Sequence, residues 1–307
     1  MHDGIFHNTG AFVKLIFAAF IVLSVFLITL VGGLLLAIPL FGMGFMELIE
    51  TLSNIAHPEY ERLLKYFQIV QSIGLFVIPS FIIAWFFGGN AFRYLYLDKG
   101  IKWGTVLLTT VIMLSAIPMI NLMAHLNAQL SLPESMSSLE EWMQRSEEAA
   151  KRITEMFLAA ETPADLIFNL FLIAVIPAIG EELLFRGIIQ RLFSEWTRNK
   201  HAGIWISAII FSAIHLQFYG FIPRTMLGAL FGYMLVWSGR MWVPIIAHFA
   251  NNAAAVFVYY FISRDQISKS VETFGAERGH WLYAFISLLF FTFFIIAFYR
   301  RVKRNQA

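Results

Sequence analysis

An all-α, polytopic membrane bundle of about eight transmembrane helices is the fold class this sequence predicts, on three observations. Of its 307 residues, 59% are hydrophobic and 14% charged, with 32 Phe; soluble domains carry about 25% charged residues. Apolar stretches long enough to cross a bilayer, about 20 residues each, recur along the whole chain. No internal repeat and no linker separates domains. The length alone would suit two soluble domains, but so many apolar stretches read as one integrated bundle. Its parts are N-terminal helices with their loops (1–164), a central core (165–258), and a last helix with a basic tail (259–307). The chain has no cysteine, which excludes disulfides, a thiolate nucleophile and a thiolate metal site. The net charge of +2 says little about partners, and no basic cluster interleaved with aromatics points to nucleic acid.

Taken in order, residues 1–11 are polar. The first apolar stretch runs from Phe12 to Met46 with Lys14 its only charge. It is too long for the apolar part of a signal peptide and lacks a convincing cleavage site, so it is expected as a retained helix. Pro39, Gly42 and Gly44 should bend or end it. Residues 47–65 carry Glu47, Glu50, Glu59, Glu61, Arg62 and Lys65 and should lie outside the membrane. Further spans fit 67–89 and 103–124, joined by a short basic turn with Arg93, Lys99 and Lys102. Residues 125–163 form the longest polar segment. From Ser138 to Ala159, Leu139, Trp142, Ile153, Met156 and Phe157 recur among acids, which reads as an amphipathic surface helix, a cap on the bundle or a gate to it.

The fourth span, 165–192, is followed by a fifth at 203–219 and a sixth at 221–238, both short enough to be re-entrant. Gly228 and Gly232, four apart, give the sixth a face for close packing. A seventh fits 241–262 and an eighth 280–299, before Arg300-Arg301-Val302-Lys303-Arg304. Eight spans put both termini on one side, and the basic tail makes that side cytoplasmic by the positive-inside rule. Lys and Arg are denser there, while the acids fall mostly on the other side. The expected location is the cell membrane, multi-pass, with both termini and the mouth of any central cavity cytoplasmic.

The fourth span breaks the apolar rule most sharply, at Gly180-Glu181-Glu182-Leu183-Leu184-Phe185-Arg186-Gly187. A charge at mid-bilayer costs about 2.5–3.5 kcal/mol on insertion scales. On a helix, Glu182 and Arg186 are four apart and share a face, so they can pair. Glu181 points about 100° away from Glu182 and has no built-in partner. The spacing therefore gives one structural ion pair and one carboxylate left for chemistry. All three could instead merely hold helices together, but a free intramembrane carboxylate is a functional site by default.

Other intramembrane polar groups accompany it: His215 four after Phe211, and His248 four before Asn252, with Asn251 at three. Glu181 lies about 11 residues, or roughly 16 Å, from the following end of its span. His215 is about 12 residues into its own span, and His248 and Asn252 about 7 and 11. The four groups fall in one layer near mid-bilayer.

The motifs Glu181-Glu182-xxx-Arg186, Phe211-xxx-His215 and His248-xxx-Asn252 together resemble those of the CPBP intramembrane proteases. These are the CAAX proteases and bacteriocin-processing (Abi) enzymes, to which the eukaryotic Ras-converting endopeptidase belongs. The resemblance covers about residues 165–258, without departure at the motif residues; the rest of the chain carries no family signature. It implies a glutamate-dependent intramembrane peptidase acting on membrane-associated proteins or peptides, some of them lipidated. Glu181 with His215 would activate a water, His248 and Asn252 would donate to the oxyanion, and Glu182 and Arg186 would be the structural pair. No cofactor is then needed. The alternative is a zinc metalloprotease with Glu181, His215 and His248 as ligands and an open position for water, although no His-Glu-xx-His motif is present. Readings of another class are a transporter or proton relay, without the repeat symmetry many transporters have, and a non-proteolytic immunity or binding protein that keeps the fold. No Gly-x-Ser-x-Gly nucleophile motif is present.

Overall fold

The structure is a computed structural model that describes residues 4–6, 8–53 and 61–304. The expected acidic loop residue Glu59 lies outside the described residues. Every regular element among those described is helical, and the molecule is a helical membrane bundle.

Among the described residues, ten helices of more than one turn and a half organise it, beside a single turn at Ala91–Tyr94. They are α1 Ala11–Phe41, α2 Phe45–Ser53, α3 Glu61–Gly88, α4 Trp103–Ala128, α5 Ser137–Leu158, α6 Pro163–Thr197, α7 Lys200–Ala213, α8 Phe221–Ser238, α9 Trp242–Ser263 and α10 Trp281–Arg304. Six of these, α1, α3, α4, α6, α9 and α10, are long and apolar enough to cross a membrane. The expected spans five and six became the shorter pair α7 and α8. With 14 and 18 residues, they reach about 21 and 27 Å at 1.5 Å per residue, against a hydrocarbon core of about 30 Å. The apolar run of the fifth span continues past Ala213, but the helix does not. Leu216 adopts a left-handed backbone at φ 53° and a 3₁₀ turn at Phe218–Gly220 starts the return. The two helices pack as a hairpin, so the chain comes back to the end it left.

The first apolar stretch ends at one of its expected breakers. Gly42 caps α1 in the left-handed region at φ 67°, and the chain re-enters a helix at Phe45 that buries Leu48 against α1 and α3. At Gly74 of α3 the two helices come so close that a Cβ would overlap the Thr29 side chain. α9 lies centrally, against α4, α6 and α8, while α4 runs along α10.

α5 is the amphipathic helix the sequence predicts. Its outer face carries i,i+4 pairs such as Glu148–Arg152 at 3.4 Å, and it buries Phe157. Its C-terminal end is tied down by buried Asn169 of α6, whose Nδ2 donates to Leu158 O at 3.2 Å and Ala159 O at 3.1 Å. Lys65 Nζ holds the other side of that amide, donating to Oδ1 at 3.1 Å.

Candidate active site

α6 carries the Glu-Glu motif between two π turns, Leu170–Val175 and Leu183–Ile189. The first precedes Pro177, whose ring cannot donate to the carbonyl four residues earlier and crowds it; a widened turn relieves the clash. The same arrangement recurs in α3, where Ile73–Val77 precedes Pro79. The carbonyl that Pro177 leaves without its helical partner belongs to Ile173. Asn252 of α9 takes it, Nδ2 donating at 3.1 Å. Asn252 Oδ1 in turn accepts from Asn251 Nδ2 at 3.2 Å. One Nδ2 hydrogen of Asn252 remains for another acceptor.

The two adjacent glutamates part company as their 100° separation requires. Glu182 is fully buried and meets Arg186 at 3.0 Å between Oε1 and Nη1. Arg186 also donates from Nη2 to Gly228 O at 3.1 Å. Its guanidinium lies between the rings of Phe211 and Phe231, 4.7 and 5.5 Å from their centroids, where cation–π attraction offsets part of the desolvation cost. The packing face expected at Gly228 and Gly232 thus does more than admit α7: it bares two carbonyls to α6. Gly232 O accepts from Gln190 Nε2 at 3.3 Å.

Glu181 instead borders a cavity of about 580 Å³, together with His215, His248, Asn251 and Asn252. His248 stands between the two carboxylates. Its Nδ1 is 2.8 Å from Glu182 Oε1 and its Nε2 is 3.8 Å from Glu181 Oε2. The ring stacks on Phe231, centroids 5.5 Å apart at 25°. His215 follows the end of α7, with Nδ1 2.7 Å from Phe211 O. A carbonyl only accepts, so Nδ1 carries the proton and Nε2 of a neutral ring is an acceptor. The structure therefore gathers Glu181, His215, His248 and Asn252 around one cavity, with Glu182 and Arg186 in the wall behind them. Among the described residues, no three His, Asp or Glu side chains are arranged to hold a metal ion. Glu181, His215 and His248 are thus not arranged as such a group.

The cavity lies toward the end of the bundle opposite the basic tail. Ala150, Ile153, Thr154 and Phe157 of α5 roof it, and Gln68, Ile120 and Gln217 line its sides. All belong to the end where α3 begins and α4 ends.

Arg224 is a cavity residue that sequence reasoning missed. Its Nη1 and Nη2 donate to Gln217 O at 3.2 Å and Gln217 Oε1 at 2.7 Å. The signal was present: a guanidinium in the first turn of an otherwise apolar helix.

Residues 163–254 match the family model described as type II CAAX prenyl endopeptidase Rce1-like. Among curated proteins, the chain is 31% identical over 111 residues to the uncharacterized protein YpbD of Bacillus subtilis, covering 34% of this chain and 54% of that one. It is 33% identical over 85 residues to the putative membrane peptidase YdiL of Bacillus subtilis, 28% and 34% of the two chains. It is 30% identical over 109 residues to the membrane-embedded CAAX protease MroQ of Staphylococcus aureus, 34% and 43% of the two chains. The chain thus spans about half, or less, of the length of these relatives. No solved structure matches it. The three intramembrane motifs fall within the matched segment, and over residues 163–254 this helical membrane protein is similar to the Rce1-like family of type II CAAX prenyl endopeptidases.

Proposed function

We propose that the protein is an intramembrane endopeptidase that hydrolyses peptide bonds of membrane-associated proteins or peptides with a water activated by Glu181 and His215. The observation that carries this reading is the division of labour between the two glutamates: Glu182 is buried in the pair with Arg186, while Glu181 borders the cavity beside two imidazoles and an amide.

In this reading a water sits between the Glu181 carboxylate and His215 Nε2, both acceptors. Glu181 takes a proton as the water oxygen attacks the carbonyl carbon, and later passes it to the leaving amine. The tetrahedral oxyanion accepts from the second Nδ2 hydrogen of Asn252. His248 has a narrower role than the motif implies. Its Nδ1 faces a carboxylate and is best read as the N–H, so a neutral ring offers Nε2 as an acceptor. Only the doubly protonated ring donates from Nε2 to the oxyanion. The Glu182–Arg186 pair serves as the fixed support that orients His248.

The substrate is a protein or peptide that reaches the cavity from the membrane. The family description and the name of MroQ make CAAX-terminated, prenylated peptides the first class to try. For the bundle's orientation we propose that the Arg300–Arg304 end faces the cytoplasm, in the cell membrane.

The test is cleavage of a fluorogenic peptide library, including farnesylated CAAX peptides, by purified protein in detergent. Glu181→Gln is expected to lose turnover by roughly 10²–10⁴-fold, the usual worth of a general base, and chelator is expected to leave wild type unchanged. Loss with chelator and recovery with zinc would move the chemistry to a metalloprotease. Equal turnover in wild type and Glu181→Gln would sink the mechanism.

A further inference from the structure

The tail end of the bundle holds a second cavity, of about 430 Å³, bounded by the last turns of α6 and α8 and the start of α7. Of its lining, only Arg186 belongs to the site described above. Its rim carries Arg191, Arg198 and Lys200 with one carboxylate, Glu195. That carboxylate is already shared, 3.3 Å from Arg191 Nε and 3.4 Å from Lys14 Nζ. Arg191 is further held by Tyr94, donating to its carbonyl at 3.1 Å with the guanidinium 3.9 Å from its ring centre. Arg198 and Lys200 have no hydrogen-bond or ion-pair partner among the described residues. The rim is therefore a positive site left without enough anions of its own.

The depth of the cavity adds an independent observation. Gln190 lines it and is 4% exposed. Its Nε2 is satisfied by Gly232 O, but its Oε1 has no hydrogen-bond partner. A buried acceptor left unpaired is destabilising and marks a missing donor. The adjacent wall, Leu235 and Val236, is apolar. Trp196 stands exposed two residues before Arg198, and exposed indoles of membrane proteins collect at the membrane–water boundary.

Cations at the rim, an unpaired acceptor at depth and an apolar wall at the boundary level define one ligand chemistry: a phosphate group carrying a nearby hydroxyl on an amphiphile. We propose that this cavity binds the phosphate headgroup of an anionic lipid, the phosphate on Arg198 and Lys200 and a headgroup hydroxyl donating toward Gln190. Basic pockets between helices are suited to such headgroups. The site is independent of the peptidase reading, and its test needs no turnover.

The experiment is native mass spectrometry and thermal melting of the full chain with phosphatidylglycerol and with phosphatidylcholine of the same acyl chains, beside glycerol 1-phosphate and inorganic phosphate. Wild type is expected to retain phosphatidylglycerol about tenfold or more over phosphatidylcholine, on the scale of two interfacial cations. Arg198→Ala/Lys200→Ala, both at the surface and outside the packed core, is expected to fold and to lose that preference. Equal retention of the two lipids, or a preference unchanged in the double variant, would overturn the site. Protection by glycerol 1-phosphate or inorganic phosphate equal to that by phosphatidylglycerol would assign the pocket to a soluble anion and overturn the lipid as its source.

Discussion

His248 Nδ1 lies 2.8 Å from Glu182 Oε1, and the same Glu182 oxygen is 3.0 Å from Arg186 Nη1. One buried carboxylate oxygen thus joins the arginine behind the cavity to the imidazole that faces it. In the proposed reading the pair is therefore more than an anchor for helices, since it also orients His248.

The pair can therefore be split into a stability part and an orienting part. Glu182→Leu or Arg186→Met alone leaves a buried charge without its partner, a loss of about 3–5 kcal/mol. The double variant Glu182→Leu/Arg186→Met removes both charges and is expected to melt closer to wild type than either single variant. It is not expected to recover turnover, since His248 Nδ1 then has no acceptor. Melting curves and peptide cleavage on the four proteins check this. A double variant as unstable as the singles would contradict the pairing argument, and one with full turnover the orienting role.

Pro177 gives a second test. Pro177→Ala supplies an N–H for Ile173 O, the carbonyl that Asn252 now occupies. The helix should be at least as stable, since proline inside a helix costs about 3 kcal/mol relative to alanine. Asn252 loses its fixed acceptor, and turnover is expected to fall about tenfold, roughly one hydrogen bond's worth. A stability measurement beside kcat separates the two effects. Unchanged turnover would mean that Asn252 is positioned by something other than Ile173.

How much of this was legible follows from which residues obey local rules. The separation of Glu181 from Glu182 is a matter of 100° per residue, so the sequence alone gave Glu182 to Arg186 and Glu181 to the cavity. His215, His248 and Asn252 were visible because polar groups are rare among apolar neighbours. The Asn252–Ile173 bond was not visible. It needs a carbonyl vacated by proline on one helix to face an amide on another, 79 positions away. The early end of α7 was hidden because hydropathy continues through Ile214 and Leu216 while the backbone turns. Helix α5 was legible as an amphipathic cap or gate, but which of its residues would line the cavity was not, because that depends on contacts with helices far away in the chain.

The orientation of the bundle has its own measurement. A reporter fused after Arg304, active only on one side of the membrane, is expected to report the cytoplasm. α7 and α8 return the chain to its starting end whether or not they cross, so the hairpin does not alter this parity. A reporter inserted between Leu130 and Glu134 is expected to report the opposite side, the side of α5. The reverse pattern at both positions would invert the bundle and turn α5 toward the cytoplasm.

The roof helix sets the last prediction. α5 meets the return turn between α7 and α8 at two points: Tyr219 N donates to Glu147 Oε2 at 3.3 Å, and the Trp142 and Phe218 rings are 5.3 Å apart. Only Phe157 of the whole helix is buried, so α5 is anchored at its C-terminal end and held weakly along the rest, as a movable cover must be. A chain without cysteine makes the test clean. Glu147→Cys/Tyr219→Cys joined by a short, reducible thiol cross-linker should lose peptide turnover by at least about tenfold and regain it on reduction, as expected where lid opening admits substrate. A cysteine at Asn251 in the same background should react slowly with a polar maleimide when the roof is locked and quickly when it is free, a readout independent of catalysis. Equal labelling and equal turnover in the locked and free forms would show that peptides enter between helices and that α5 is a fixed cap.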